Sequence, residues 1–326
     1  MRLAITRRRF LTRTAALAGA TAAAGRSVPV LGQSPPNPEG NRDMIPIVDT
    51  HQHLWDLSIF RLPWQKENPK LARSFVMRDY LEATAGLNVV KSIYMEVDVE
   101  PSQQPAEADH VLAICRRGGT PMVAAVISGR PASDGFPDYI TRYRESPEIK
   151  GVRQVLHGPG TPPGTCLDEA FVRGVRLLGE LGLSFDLCMR SAELPDAAKL
   201  IDACRDTRFI LDHCGNASVR ARDLSTWRAD IAGVARRKNV VCKVSGIVAS
   251  AAPDPWTADD LAPIVNHVLD RFGPDRVVFG GDWPVCTLAA TYRQWVEALK
   301  SIVADRSEPD RRKLFHDNAV AFYGLG

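Results

Sequence analysis

The sequence predicts an α/β fold, a single (β/α)8 TIM barrel that occupies residues 45–326. Short apolar runs rich in β-branched residues recur along the chain, and amphipathic segments separate them. Strands that alternate with helices in this way form a parallel sheet, and eight repeats suit closure of that sheet into a barrel. The first predicted strand begins at Ile45, and the others are residues 92–97, 122–127, 151–156, 185–188, 209–212, 240–244 and 277–279.

Length and composition agree with one globular domain. The chain has 326 residues, of which 45% are hydrophobic and 24% charged, which suits a large core. Much of the positive excess behind the net charge of +3 lies at the extreme N-terminus. The rest of the chain is near neutral, so nothing supports a nucleic acid as partner. No later stretch is apolar for long enough to span a membrane. The expected partner is a small-molecule substrate, and no particular oligomeric state is predicted.

Residues 1–24 are expected to be a twin-arginine signal peptide. Thr6-Arg-Arg-Arg-Phe-Leu11 contains the arginine pair, residues 14–24 form an apolar run, and Ala22-Ala-Ala24 offers a cleavage site. The alternative, a basic amphipathic first helix, would mix charges into the apolar run, and none occurs between Thr14 and Gly25. The sequence therefore predicts a periplasmic protein, exported by the twin-arginine route.

Export can be tested through the arginine pair. Changing Arg7 and Arg8 together to lysine is expected to keep the protein in the cytoplasm, because the pair is the feature by which this signal is read. The secreted protein should begin near Gly25, as checked by cell fractionation and N-terminal sequencing. Recovery of periplasmic protein with an intact N-terminus would contradict the assignment.

Two segments without strong periodicity come next. Residues 25–44 are rich in proline, glycine, serine and asparagine, which predicts an extended linker. A long insertion then separates the first two strands; it carries Trp55, Phe60 and Trp64 and a short predicted helix near residues 77–84. An insertion of this length inside a compact domain is usually functional. Its aromatic side chains either stack on the ring of a bound ligand or pack the insertion onto the barrel.

Three later segments place apolar side chains on one helical face, which predicts amphipathic helices over residues 168–183, 258–272 and 292–303. The seven cysteines include no CxxC pair, and most lie inside apolar runs. We expect isolated, buried thiols that act as small apolar side chains. Cys214 and Cys286 flank candidate site residues, but neither has a sequence partner that would activate a nucleophilic thiol, and their roles stay open.

The candidate site begins at Ile47-Val-Asp-Thr-His-Gln-His-Leu-Trp-Asp56, a predicted buried strand that runs into a His-x-His pair. Alternate residues of a strand point to one face, so Asp49, His51 and His53 look the same way, and the two histidines could hold a metal ion or a substrate oxygen. The plainer alternative is one core histidine and one in solvent. Three later stretches favour the site: Gly151-Val-Arg-Gln154, Leu211-Asp-His-Cys-Gly215 and Phe279-Gly-Gly-Asp-Trp-Pro284.

All of these residues lie at predicted strand ends, where the active site of a TIM barrel is built. The candidate catalytic residues are His51, His53, His213 and Asp282. An unpaired charge on an apolar strand is costly, so Arg153 and Lys243 need a structural carboxylate or a substrate anion. The remaining candidate substrate contacts are Glu96, His157, Trp55 and Trp283. His110, His267 and His316 lie on predicted helices and are expected to be surface or packing residues.

Together the four stretches resemble the amidohydrolase superfamily, in particular its branch of TIM-barrel lactonases that act on sugar lactones and related ring lactones. The resemblance covers roughly residues 45–324, and Asn318-Ala319 followed by Phe322-Tyr-Gly324 looks like the closing helix of that branch. It implies a hydrolase that opens a lactone ring. Asp282 would take a proton from water, and His51, His53, His213 and Arg153, or a metal among them, would polarise the carbonyl.

The chain departs from the metal-dependent members of the superfamily at two positions. Those members have a bridging Lys or Glu on strand 4 and a histidine on strand 5, whereas this chain has Arg153 and the segment Ser184-Phe-Asp-Leu-Cys-Met-Arg190. A two-metal site is therefore not expected. One divalent ion, zinc by preference, could be held by His51, His53 and Asp282 with Glu96 or His213; a metal-free site is equally open. A metal-dependent non-oxidative decarboxylase and an exported, non-catalytic binding protein remain the alternative functions.

Overall fold

The computed structural model describes residues 44–326, apart from the side chains of Lys66 and Glu67. The predicted signal peptide and almost all of the predicted linker lie outside this range and stay predictions. Eight strands pair in parallel and in chain order. They are β1 (Ile47–Gln52), β2 (Val89–Met95), β3 (Met122–Ser128), β4 (Ile149–Val155), β5 (Ser184–Cys188), β6 (Arg208–Leu211), β7 (Val240–Val244) and β8 (Val277–Phe279).

Helices follow the strands and cover the outside of the barrel, so the predicted TIM barrel is confirmed. They are α1 (Met77–Thr84), α2 (Gln104–Arg117), α3 (Phe136–Thr141), α4 (Glu169–Glu180), α5 (Leu194–Ala203), the single turn α6 (His213–Asn216), α7 (Ser225–Ala235), α8 (Ala258–Phe272), α9 (Tyr292–Ile302), α10 (Glu308–Arg312) and α11 (Asn318–Tyr323), with a π-helical turn at Lys313–Asp317. Within residues 44–326 every helix is too short or too polar to cross a bilayer.

The helix ends follow local chemistry. α9 begins at a capping box in which Thr291 Oγ1 accepts the Gln294 N–H at 3.1 Å and Gln294 Oε1 accepts the Thr291 N–H at 2.8 Å. α4 ends at Glu180, three residues before the predicted end, and Gly182 follows with φ +72°. A left-handed residue of this kind terminates a helix, and glycine adopts it without steric cost.

Apolar side chains fill the lower interior of the barrel. Val48, Ile93, Val126 and Ile210 form one buried cluster with other strand residues. Ala319 and Tyr323 of α11 belong to the same cluster, so the C-terminal helix closes the bottom of the barrel. A second, larger cluster packs the outer strand faces against the helices. The polar strand residues therefore lie at the opposite, carboxyl end of the strands.

The seam between β8 and β1 is closed partly by side chains. Thr50 Oγ1 donates to the Phe279 carbonyl at 2.7 Å, and Asp49 Oδ1 accepts the Gly281 N–H at 2.7 Å. The Asp282 N–H donates to the His51 carbonyl at 2.8 Å. These bonds tie the Gly281-Asp282 segment directly to the strand that carries the histidine pair.

All seven cysteines are free thiols, six of them buried and Cys115 half-buried, as expected from the sequence. Cys286 lies beside Asp282, but burial raises the pKa of its thiol well above the ordinary value, and the Asp282 and Asp49 carboxylates raise it further. A thiol that stays protonated is a poor nucleophile, so Cys286 is a packing residue.

Candidate active site

A cavity of about 460 Å³ opens at the carboxyl ends of the strands. Its lower wall carries His53, Arg153, His213 and Asp282, and its mouth carries His157. This is the end of the barrel at which strand-end residues converge. The candidate residues from β1, β4, β6 and β8 are thus brought together, although they are far apart in the chain.

His51, His53 and Asp282 form the centre of the site. Asp282 Oδ1 lies 3.6 Å from His51 Nε2 and 3.4 Å from His53 Nε2. The two imidazole centroids are 4.8 Å apart. All three side chains are buried, because alternation along β1 turns both histidines inward and the short loop after β8 brings the carboxylate over them.

Asp282 is held in an unusual backbone conformation, with φ +52°. A non-glycine residue in the left-handed region is strained unless its surroundings fix it. Gly281 before it has no space for a side chain, because a Cβ there would lie 2.2 Å from the Tyr292 ring and 2.7 Å from Asp49. The tight approach of this segment to β1 decides where the Asp282 carboxylate points.

Asp49 fixes that approach, and it was not among the predicted site residues. Its buried carboxylate accepts the backbone N–H groups of His51 and Gly281 at 3.0 and 2.7 Å, and the hydroxyls of Tyr80 and Tyr292 at 2.9 and 3.0 Å. Asp49 is two residues before His51 and so points to the same face of β1, which is the feature of the sequence that could have identified it. The partners come from α1, α9 and the β8 loop, which no local pattern reveals.

The triad fits one divalent metal ion. Zinc bound tetrahedrally at 2.0–2.1 Å has ligand atoms about 3.3 Å apart, close to the two distances from Asp282 to the histidines. His53 Nδ1 lies 3.0 Å from the Met95 carbonyl. The Nδ1–H that donates this bond leaves the Nε2 lone pair free for a metal, the usual arrangement around a metal-ligating histidine. Arg153 Nη1 is 3.2 Å from His51 Nε2, so a bound ion would displace that contact.

Arg153 finds its anion inside the protein. Its Nε donates to Glu96 Oε1 at 2.6 Å and its Nη2 to the Glu96 carbonyl at 2.8 Å. Asp212 Oδ2 lies 3.5 Å from Nη1. Burial alone would lower the pKa of Arg153, but the two carboxylates raise it well above its usual range. A structural carboxylate is therefore the partner, while the guanidinium edge still lines the cavity.

Lys243 lies below the site and not in it. Its ammonium is buried and sits 2.9 Å from both Asp186 Oδ2 and Asp212 Oδ1. Burial and the Asp212 charge keep the pKa of Asp186 at about 6, against the lowering effect of Lys243. Burial would likewise raise the pKa of Asp212, but Lys243 and His51 hold it well below its usual range. The predicted substrate contact of Lys243 is replaced by this buried ion-pair cluster.

His213 is presented by a left-handed turn. His213, Cys214, Gly215 and Asn216 have φ values of 53°, 52°, 68° and 52°, a run that L-residues rarely adopt. Trp227 Nε1 holds the turn by donating to the Cys214 carbonyl at 2.9 Å. Because of this turn, His213 and Asn216 both line the cavity. Asn216 was not predicted, and its nearness to His213 was its only signal in the sequence.

The ring of His213 is fixed from β7. Its Nδ1 lies 2.9 Å from Ser245 Oγ, and its atoms occupy the space that a Cβ on Gly246 would take, 2.2 Å away. Its centroid is 4.5 Å from that of His51. Burial lowers the pKa of both His51 and His213, and burial with nearby cations lowers the pKa of His157 to about 4. These imidazoles are neutral near pH 7.

The remaining predicted contacts divide between the wall and the layer behind it. Trp55 and Trp64 line the cavity, and their indole N–H groups donate to the Arg73 and Val97 carbonyls at 2.6 and 2.8 Å. The insertion thus both packs on the barrel and forms a cavity wall. Trp283 is buried against Phe75 and Tyr80, and the Glu96 carboxylate is paired with Arg153. Neither Trp283 nor Glu96 lines the cavity.

Comparison with known proteins places this site in a family. The family model described as amidohydrolase matches residues 48–325. The chain is 27% identical to the L-fucono-1,5-lactonase of Burkholderia multivorans (strain ATCC 17616 / 249) over 85% of this chain and 96% of that protein. It is 24% identical to the L-rhamnono-gamma-lactonase of Scheffersomyces stipitis (strain ATCC 58785 / CBS 6054 / NBRC 10063 / NRRL Y-11545) over 86% of this chain and 98% of that protein.

Solved structures show the same fold. A crystal structure of an amidohydrolase from Burkholderia multivorans with bound zinc has a TM-score of 0.77 and 27% identity, and covers 86% of this chain and 100% of that chain. A 2,6-dihydroxybenzoate decarboxylase has a TM-score of 0.63 at 13% identity, covering 86% of this chain and 100% of that chain, which shows likeness of fold alone. The sequence resemblance is confirmed: the chain belongs to the amidohydrolase family and is an enzyme of the hydrolase class.

Proposed function

We propose that this enzyme opens a lactone ring by hydrolysis, with Asp282 as the general base. The observation that carries the proposal is the convergence of the Asp282 carboxylate with His53, His213 and Arg153 on one wall of the cavity. The family relatives named as lactonases support the same reaction. The site combines a proton acceptor with several hydrogen-bond donors, which is what attack of water on an ester carbonyl requires.

The reaction can be followed through the side chains. Asp282 takes a proton from a water molecule as the water oxygen forms a bond to the ring carbonyl carbon. The developing oxyanion is stabilised by donors around it, the Arg153 guanidinium and the neutral His213 imidazole, whose Nδ1 is fixed by Ser245. The ring C–O bond then breaks, and the protonated Asp282 returns its proton to the leaving alkoxide. The product is a hydroxy acid.

His51, His53 and Asp282 are the residues that would hold a divalent ion at this point. Such an ion would supply Lewis-acid polarisation of the carbonyl. The chain's own groups do the rest: His53 stays oriented by the Met95 carbonyl, Arg153 stays charged through Glu96, and Asp49 keeps the Asp282 segment against β1.

A screen tests the reaction. Purified protein is incubated with sugar lactones and aromatic lactones, and acid release is titrated at constant pH. We expect base uptake with at least one lactone. With acyclic esters of similar size, we expect base uptake no faster than in the absence of the enzyme. In parallel, carboxylated aromatic rings are assayed for carbon dioxide release, which tests the decarboxylase alternative. Decarboxylation without lactone opening would overturn the proposal.

Metal removal distinguishes the two roles of the histidine pair. If an ion is the electrophile, His51→Ala and His53→Ala each lose the ion and the activity, and a chelator reproduces the loss in the parent protein. If the imidazoles act directly, chelation leaves the rate unchanged and each alanine variant raises the barrier by about 2 to 4 kcal/mol, as for a single oxyanion donor. Metal analysis of each protein accompanies the rates.

We propose that this reaction takes place outside the cytoplasm. The support is the twin-arginine pattern and the apolar run that follows it, and the fractionation of the Arg7 and Arg8 variant is the test.

A further inference from the structure

The positively charged side chains around the cavity are already hydrogen-bonded to protein groups. Among the residues whose side chains the structure describes, Arg153 is the one lysine or arginine in the cavity lining. Its Nε and Nη2 are used by Glu96, and its Nη1 faces His51 and Asp212. Lys70, near the rim, donates to the Leu288 carbonyl from an exposed position. A ligand carboxylate would therefore find only the Nη1 side of Arg153, which the proposed reaction uses for the oxyanion, and no guanidinium fork that is free to pair with it.

Asp98 adds a negative charge to the same wall. It follows β2, lines the cavity, and its Oδ1 pairs with Arg130 Nη2 at 2.7 Å. Its N–H donates to Glu96 Oε2 at 2.7 Å, and its φ of +48° fixes the residue in the left-handed region. Burial and the Glu96 carboxylate raise the pKa of Asp98, against Arg130. Arg130 is thus paired with Asp98 and adds no unpaired positive charge at this point of the wall.

The cluster as a whole is acidic. The ion pairs at and behind this wall, together with Asp282, contain five carboxylates and three cations: Glu96, Asp98, Asp186, Asp212 and Asp282 against Arg130, Arg153 and Lys243. The carboxylates outnumber the cations by two, so these ion pairs leave no unpaired positive charge for an anionic ligand.

Part of the cavity lining is apolar. Trp55, Trp64, Leu71 and Leu288 lie there, and both indole N–H groups are already bonded to backbone carbonyls. These four residues present indole faces and aliphatic surface to the cavity, and the apolar face of a ligand ring can pack against them. A ligand in the cavity thus meets the Asp98 and Asp282 carboxylates as acceptors and hydrocarbon from these four side chains.

We infer that the cavity selects an uncharged ring ligand with a hydroxyl or N–H donor, and that Asp98 is the residue that excludes anionic rings. The inference rests on the proposed function for the identity of the reacting ring, but the selection by charge is a property of binding. A carboxylate on the ring would lie among like charges in a partly desolvated site, which is strongly unfavourable.

Binding of a matched pair of probes tests the charge selection without turnover. Tetrahydrofuran-2-carboxamide and tetrahydrofuran-2-carboxylate have nearly the same shape and cannot be hydrolysed as lactones, and the fluorescence of Trp55 and Trp64 reports on the cavity. In mildly alkaline buffer we expect the parent protein to bind the carboxamide at least tenfold more tightly than the carboxylate. Equal or tighter binding of the carboxylate, or binding of neither probe, would overturn the inference.

The Asp98→Asn variant tests whether Asp98 is responsible for the preference for the carboxamide. Asparagine tolerates the left-handed backbone, removes the charge and frees Arg130, so the preference is expected to fall at least fivefold. The matched control is Asp270→Asn, which breaks an ion pair of the same 2.7 Å length, to Arg306, away from the cavity lining; it should leave the ratio unchanged. An Asp98→Asn protein with the parental ratio would refute the role of Asp98.

Turnover separates this inference from the proposed function. The same pair is made as lactones, 5-oxotetrahydrofuran-2-carboxamide and 5-oxotetrahydrofuran-2-carboxylate, and kcat/KM is compared. Selective binding of the carboxamide by an enzyme that opens no lactone would refute the proposed reaction and support the charge selection. Faster opening of the carboxylate lactone would refute the charge selection and support the reaction.

Discussion

Asp282→Asn is expected to lower kcat for lactone opening by roughly 10² to 10⁴, the usual contribution of a positioned general base. The amide cannot take a proton from water, and it cannot replace a carboxylate as a metal ligand. The loss is therefore expected whether or not an ion takes part. Asparagine has the same shape and tolerates the φ of +52° that residue 282 adopts, so the variant should fold normally.

The measurement is the rate of base uptake at saturating lactone, together with circular dichroism and the unfolding temperature. Asp270→Asn is the control, because it makes the same chemical change on α8, outside the cavity lining, and should keep the parental rate. An Asp282→Asn protein that opens its lactone at near the parental rate would show that the base lies elsewhere.

Lys243→Met should produce the largest loss of stability, about 3 to 5 kcal/mol in the free energy of unfolding. Methionine has a similar volume, so packing is retained. The change leaves the Asp186 carboxylate, and one oxygen of Asp212, buried without the ammonium that lies 2.9 Å from each. Removing one partner of a buried ion pair is costly because the remaining charge stays desolvated.

Denaturant unfolding of matched variants checks this value. Lys199→Met removes an ammonium that is 2.8 Å from Asp196 but 65% exposed, and should cost no more than about 1 kcal/mol. Adding Asp186→Asn to Lys243→Met should recover part of the stability, since the second change removes the unpaired charge. A Lys243→Met protein no less stable than Lys199→Met would show that the cluster is not a structural ion pair.

The periodicity of the sequence was sufficient for the barrel. β7 and α8 have the predicted bounds, residues 240–244 and 258–272, because an apolar run and an amphipathic repeat define them without ambiguity. β2 begins at Val89, three residues before its predicted start. Lys91, which is half-buried, interrupts the apolar run between Val90 and Ile93. Pairing with β1 extends the strand there, and pairing is a tertiary property.

The site was predicted unevenly for the same reason. His53, His213 and Asp282 could be found because polar residues at the strand ends of a TIM barrel are expected near its active site. Whether a charged strand residue meets a substrate or a structural partner depends on a residue far along the chain: Arg153 and Glu96 are 57 positions apart, as are Lys243 and Asp186. No local pattern contains that information.

The sequence by itself determined the eight strands, several of the helices and the set of polar residues at the strand ends, because these follow from the alternation of apolar and polar side chains. Only the tertiary structure decided which of those residues face the cavity. The turn at His213 and the bond from Gly281 to Asp49 aim the imidazole and the carboxylate, and the ion pairs below withdraw Lys243 and Glu96 from the ligand. Buried charges must be paired, and their partners are set by which side chains the closed barrel brings within about 3 Å of one another.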